Sequence, residues 1–112
     1  MDFQRLSEIA KGNEEFKQEM FSEMIKLFSF MKEEMVDALE NHDMVRFNLL
    51  SHKVKTSIEL LSLVDFKHII EEGKLRIHND RIDSSYISRV EKCCQKVVDT
   101  LTQKLTNSEV DK

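Results

Sequence analysis

The chain contains no proline and only two glycines in 112 residues. With so few breakers, a fold of sheets and tight turns is disfavoured and long helices are expected. Cysteine is also scarce: Cys93 and Cys94 are adjacent, and no second pair exists to complete a zinc site. A reduced, cytoplasmic protein is the expectation. No apolar run approaches the roughly 18 residues that a membrane span needs. The opening residues Met1-Asp2-Phe3-Gln4-Arg5 lack the apolar stretch of a signal peptide. Positive charge is in deficit, with 17 Lys and Arg against 21 Asp and Glu and a formal net charge of -4. That balance argues against a nucleic-acid partner, because neutralising phosphates takes clustered Lys and Arg. A glycine-rich phosphate loop is missing, so no nucleotide site is expected.

What is present is amphipathic periodicity. Hydrophobic residues make up 40% and charged residues 34%, the balance of a single globular domain, assigned to residues 1–105 with a polar tail from 106 to 112. Leu6, Ile9 and Ala10 mark a short helix that stops at Gly12. Asn13 with Glu14-Glu15 is an N-cap followed by acids in the first turn. Phe16, Met20, Met24, Leu27, Met31, Met35 and Ala38 then recur at steps of four and three. Phe21, Ile25, Phe28 and Leu39 widen that stripe, so a long second helix buries a broad face. Asp43 can cap a third helix with Phe47, Leu50, Val54, Ile58 and Leu61 on one side. Asp65 can cap a fourth, carrying Phe66, Ile69, Ile70 and Ile77, with Gly73 as a weak point inside it. A fifth helix starts near Asp83 and runs through Ile87, Val90, Cys94, Val97, Leu101 and Leu105, with Cys93 as the exposed neighbour of Cys94. The predicted fold is all-α: an antiparallel up-down-up-down four-helix bundle with a short additional N-terminal helix.

Most of the polar residues read as surface. His42, His68 and His78 share no metal-ligand spacing. Glu14-Glu15, Glu33-Glu34 and Glu71-Glu72 read as solvated faces rather than catalytic pairs. His52 is different. At about 100° per residue, Leu50, Val54 and Leu61 lie about 160°, 200° and 180° from it, so it faces away from the third helix's core side. Val45, Asn48, Leu49, Lys55, Thr56 and Glu59 surround it, and Lys55 stands one turn along. Lys53 points about 100° away. Val45 and Leu49, with Leu63 beyond them, read as an apolar patch for a partner.

The stretch Ser51-His52-Lys53-Val54-Lys55-Thr56-Ser57, followed by Leu61, resembles the signature of the histidine-containing phosphotransfer (HPt) domain of two-component phosphorelays. That signature is His-x-x-Lys-Gly on a helix. The approach through Gly12 to Phe16, and Ala38-Leu39 followed by Asp43, is similar as well, so the likeness covers roughly residues 5–102. The chain departs from the pattern at Thr56, where the family carries Gly, and at Ser62, near the helix end, where a Gly is common. Ser51 replaces a common Ala.

The resemblance implies that His52 is a phosphoacceptor and Lys55 its electrostatic partner. Val45, Asn48, Leu49, Thr56 and Glu59 would then form the docking surface. The implied partners are a response-regulator receiver domain, a hybrid sensor histidine kinase, or both. The receiver would supply Mg2+, and this chain no cofactor, metal or kinase activity of its own. A cytoplasmic monomer is expected. The alternative is an interaction module that binds receiver domains without being phosphorylated, which Thr56 favours by crowding the space one turn from His52.

Overall fold

In the computed structural model, which describes residues 1–110, the chain forms five helices and no strand among those residues. They are α1 (Gln4–Ala10), α2 (Glu14–Glu40), α3 (Met44–Leu61), α4 (Val64–His78) and α5 (Ser84–Val110). α2 packs most extensively on α5, and the neighbour relations α2–α3, α3–α4 and α4–α5 close a ring of four helices. α1 lies across α2 and α3. The result is an elongated helical bundle of 50 × 21 × 18 Å.

Side chains capable of capping sit where three of the helices begin. Asn13 accepts a hydrogen bond from the Phe16 amide at 3.0 Å, and Asp43 accepts one from Arg46 at 3.0 Å. Asp83 does the same for Tyr86 at 2.7 Å, which fixes the start of α5. The fourth helix departs from expectation. It begins at Val64 after Leu63, and Asp65 lies within its first turn rather than capping it. The cause is the two-residue joint between α3 and α4. Ser62 takes a left-handed conformation (φ 53°, ψ 50°), and the Leu63 amide donates back to the Ile58 carbonyl at 2.9 Å. That turn buries Leu63 to 7% exposure, which removes it from the apolar surface patch expected beside His52.

The core follows the predicted stripes. Phe21, Phe28, Met31, Met35 and Ala38 of α2 are wholly buried, as are Val54 and Leu61 of α3 and Cys94 and Leu101 of α5. Each large apolar side chain so placed contributes about 1.5–3 kcal/mol. Phe28 and Phe66 meet edge to face across the bundle at 5.4 Å. Phe16, the first residue of the α2 stripe, is instead exposed.

Gly73 is a packing position, not merely a weak point. A Cβ there would overlap the Tyr86 hydroxyl and stand 2.8 Å from Phe47 Cζ. The absent side chain lets buried Tyr86 lie against α4, where its hydroxyl donates to the Ile69 carbonyl at 2.6 Å.

Three other surface expectations change. Glu72 is not simply solvated: Arg89 of α5 and Arg76 of α4 both donate to it, joining the two helices. Cys93 is half-buried, and burial raises the pKa of its thiol; the deeper Cys94 is pushed up to about 12. The segment assigned as a tail from Thr106 continues α5 as helix to Val110, and residues 111–112 lie outside the described part.

Candidate functional site around His52

α3 is held in one rotational setting from both sides. Its core residues Phe47, Leu50, Val54, Ile58 and Leu61 are buried. At its start, Arg46 pairs with Asp37 at 2.5 Å and also with Glu34, tying α3 to α2. Ser51 is buried too, with its hydroxyl donating to the Phe47 carbonyl at 2.8 Å. A hydroxyl satisfied within its own helix can replace a buried methyl without leaving an orphaned polar group. With these contacts fixed, the opposite side of α3 has to face solvent.

His52 is exposed on that side, as are Val45, Asn48, Leu49, Lys55, Thr56 and Glu59. The seven residues singled out from the sequence therefore share one surface. They divide into two flanks around the imidazole.

One flank runs toward α4. His52, Asn48, Lys55 and Glu59 line a cleft of about 720 Å3 whose far wall is Lys67, Ile70, Glu71 and Lys74 of α4. Buried Ser51 and Ile58 form its floor.

The other flank runs toward α2 and is apolar. Val45 is 71% exposed and Leu49 65%, and at i, i+4 the two aliphatic side chains share one side of α3. On α2, Phe30 is 42% exposed, with the Lys53 ammonium 4.9 Å from its ring centroid. Further along the α2–α3 seam, Phe16, Met20 and Leu27 line a shallow cleft of about 350 Å3 with Ser57. Val45, Leu49 and Thr56 do not line the α4 cleft. His52 thus sits on the boundary between a polar cleft and an apolar surface.

Three residues of this surface were not singled out from the sequence. Phe30 falls off the α2 core stripe, and an aromatic residue off the stripe of a helix was the available sign. Lys67 and Lys74 are seven residues apart and so share one side of α4. That spacing was readable, but not that this side of α4 faces His52. Leu63 was misplaced because the left-handed turn at Ser62 could not be read from the serine.

Among the described residues, no helix is long and apolar enough to cross a membrane. Compared with models of protein families, with curated proteins and with solved structures, the chain gave no significant match.

Proposed function

We propose that the chain is a phosphorelay carrier of the histidine phosphotransfer type, with His52 as the phosphorylated residue. The observation that supports this reading most is the setting of His52. It is exposed at the middle of α3, one turn from Lys55, with an apolar surface on one flank and a lysine-lined cleft on the other. The reading takes α2 to α5 as an up-down-up-down antiparallel bundle, monomeric and cytoplasmic.

The step itself asks little of the carrier. A lone pair on an imidazole nitrogen attacks phosphorus on an aspartyl phosphate of the partner. The N–P bond forms while the P–O bond breaks, and its electron pair leaves with the aspartate carboxylate. The proton on the second ring nitrogen stays in place. Histidine ordinarily titrates near pH 6.5, so a neutral imidazole is an accessible nucleophile around neutrality. Charge spreads over the three phosphoryl oxygens in the transition state, where the Lys55 ammonium stabilises it. The receiver domain brings the acidic residues and Mg2+, and docks on Val45, Leu49, Asn48, Thr56 and Glu59. A surface that pairs exposed aliphatic side chains with a polar centre suits such a partner.

The test is transfer of label from a phosphorylated receiver domain. Wild type should acquire a base-stable, acid-labile phosphohistidine, and His52→Gln should acquire none. Failure of wild type to take label, or labelling of His52→Gln, overturns the reading. One observation favours a second reading: Thr56 is exposed beside His52 and places a β-branched side chain where the partner approaches. Binding of a receiver domain without phosphohistidine would select that non-transferring interaction module.

A further inference from the structure

The cleft between α3 and α4 brings charges to His52 that α3 alone does not carry. Its α3 wall presents Lys55 and Glu59, and its α4 wall presents Lys67, Glu71 and Lys74. Lys67 and Lys74 are about 20° from eclipsed on an ideal helix, so they project along one edge of α4. Among the described residues, no carboxylate lies within ion-pairing distance of Lys55, Lys67 or Lys74. Arg46, Arg76 and Arg89, by contrast, are each tied to carboxylates. The cleft's own glutamates, Glu59 and Glu71, leave three ammonium groups facing two carboxylates. This is a local positive excess on a chain of net charge -4. Like charges around one cleft repel, and an anion of more than one charge relieves that repulsion.

Resting on the reading of His52 as phosphoacceptor, we infer that Lys67 and Lys74 complete the phosphoryl site from the far wall of the cleft. Lys55 meets the phosphoryl oxygens from the wall that carries His52, and the α4 lysines meet them from across it. They form no bond to phosphorus. Their role is to stabilise charge on the oxygens as the N–P bond forms, and to hold the phosphoryl dianion afterwards. The cleft is then a two-helix anion site, and the packing of α3 on α4 sets its geometry.

The probe is phosphoramidate, a small donor that needs no receiver domain. The imidazole lone pair attacks its phosphorus, the P–N bond breaks and ammonia leaves. Mass mapping separates label on His52 from label on the exposed His42, His68 and His78. Four proteins are compared: wild type, K67Q/K74Q, K67R/K74R, and K92Q/K96Q, whose substitutions lie on α5 outside the cleft. K67Q/K74Q should slow labelling of His52 about five-fold or more. The arginine pair should restore the rate, and the α5 pair should leave it within about two-fold. Wild-type rates in K67Q/K74Q, equal slowing in K92Q/K96Q, or no rescue by arginine overturns the inference. A parallel assay with a phosphorylated receiver domain separates the two levels of the proposal. Receiver transfer with no lysine effect in the phosphoramidate assay overturns the inference and keeps the relay. Phosphoramidate labelling that shows the lysine effect, with no transfer from the receiver, overturns the relay and keeps the site. No label on His52 from either donor overturns both.

Discussion

The Lys53 ammonium lies 4.9 Å from the centroid of the Phe30 ring, so a cation on an aromatic face closes the outer edge of the α2–α3 seam. This contact turns Lys53 away from the α4 side of His52 and leaves Lys55 as the α3 lysine lining the cleft. Two lysines within three residues of the imidazole therefore have different work. Lys55→Ala should slow phosphoryl transfer about ten-fold, less than for an enclosed oxyanion donor, because this ammonium acts in water. Lys53→Ala should leave the rate within about two-fold. Circular dichroism should show an intact bundle in both. Label-transfer kinetics on the two variants decide the assignment, and equal slowing would remove the distinction.

Phe30 offers a way to test docking apart from chemistry. Its ring is partly exposed, carries the Lys53 ammonium over its face and does not line the cleft. Aromatic side chains at the centre of an interface are common energetic anchors. Phe30→Ala should weaken receiver binding about ten-fold by titration calorimetry, while phosphoramidate labelling of His52 stays at the wild-type rate. A loss of small-donor labelling would place Phe30 in the site instead.

Ser62 ends α3 at φ 53°, a region that L side chains occupy at a cost of about 1–2 kcal/mol. Gly adopts it without that cost but loses more backbone entropy on folding. The balance favours Gly by about 1 kcal/mol, so Ser62→Gly should raise the melting temperature by roughly 4 °C. It should not change labelling of His52, since the turn lies beyond the end of α3. An unchanged or lower melting temperature would show that the serine conformation carries no such strain.

The helices and the exposed face of α3 were legible in the sequence because both depend on local periodicity. Leu50, Val54 and Leu61 have to be buried together, which alone turns His52 outward. The caps at Asn13, Asp43 and Asp83 were equally local. The α4 half of the cleft was not legible, because the rotation of α4 against α3 is set by the tight joint at Ser62 and Leu63. Gly73 was misjudged for a related reason. Helix propensity is a property of one segment, whereas the Tyr86 hydroxyl that leaves no room for a Cβ arrives from α5, 13 positions further along. Glu72 looked like half of a solvated acidic pair until α5 brought Arg89 to it.

Gly73→Ala is the substitution that helix propensity alone would recommend, worth about 1 kcal/mol in an open helix. Here the added methyl has to displace the Tyr86 hydroxyl and the edge of the Phe47 ring, both buried. Overpacking of that kind costs about 1–3 kcal/mol, and the Tyr86 bond to the Ile69 carbonyl is lost if the ring moves. Denaturant unfolding should therefore show net destabilisation. In Tyr86→Phe the obstructing hydroxyl is gone, so adding Gly73→Ala to that variant should cost less than adding it to wild type. Equal costs in the two backgrounds would mean that Phe47, not Tyr86, sets the limit.

Glu72 ties α4 to α5 through two guanidinium groups, and this governs how the bundle responds to acid. Hydrogen bonds from Arg89 first, and from Arg76 second, lower its carboxyl from 4.5 to about 2. The folded state thus favours the ionised form more strongly than the unfolded chain does. The stabilisation is complete above about pH 4.5 and fades as the pH falls toward 2, where the folded protein is protonated as well. Glu72→Gln removes that proton linkage and keeps the shape of the side chain. At pH 7 the variant should melt below wild type. Between pH 4.5 and 2 the wild-type melting temperature should fall more steeply, and the two curves should converge near pH 2. Parallel curves across that interval would show that the folded state does not favour ionised Glu72 over the protonated form. Labelling of His52 by phosphoramidate should be unchanged at pH 7, because Glu72 does not line the α3–α4 cleft.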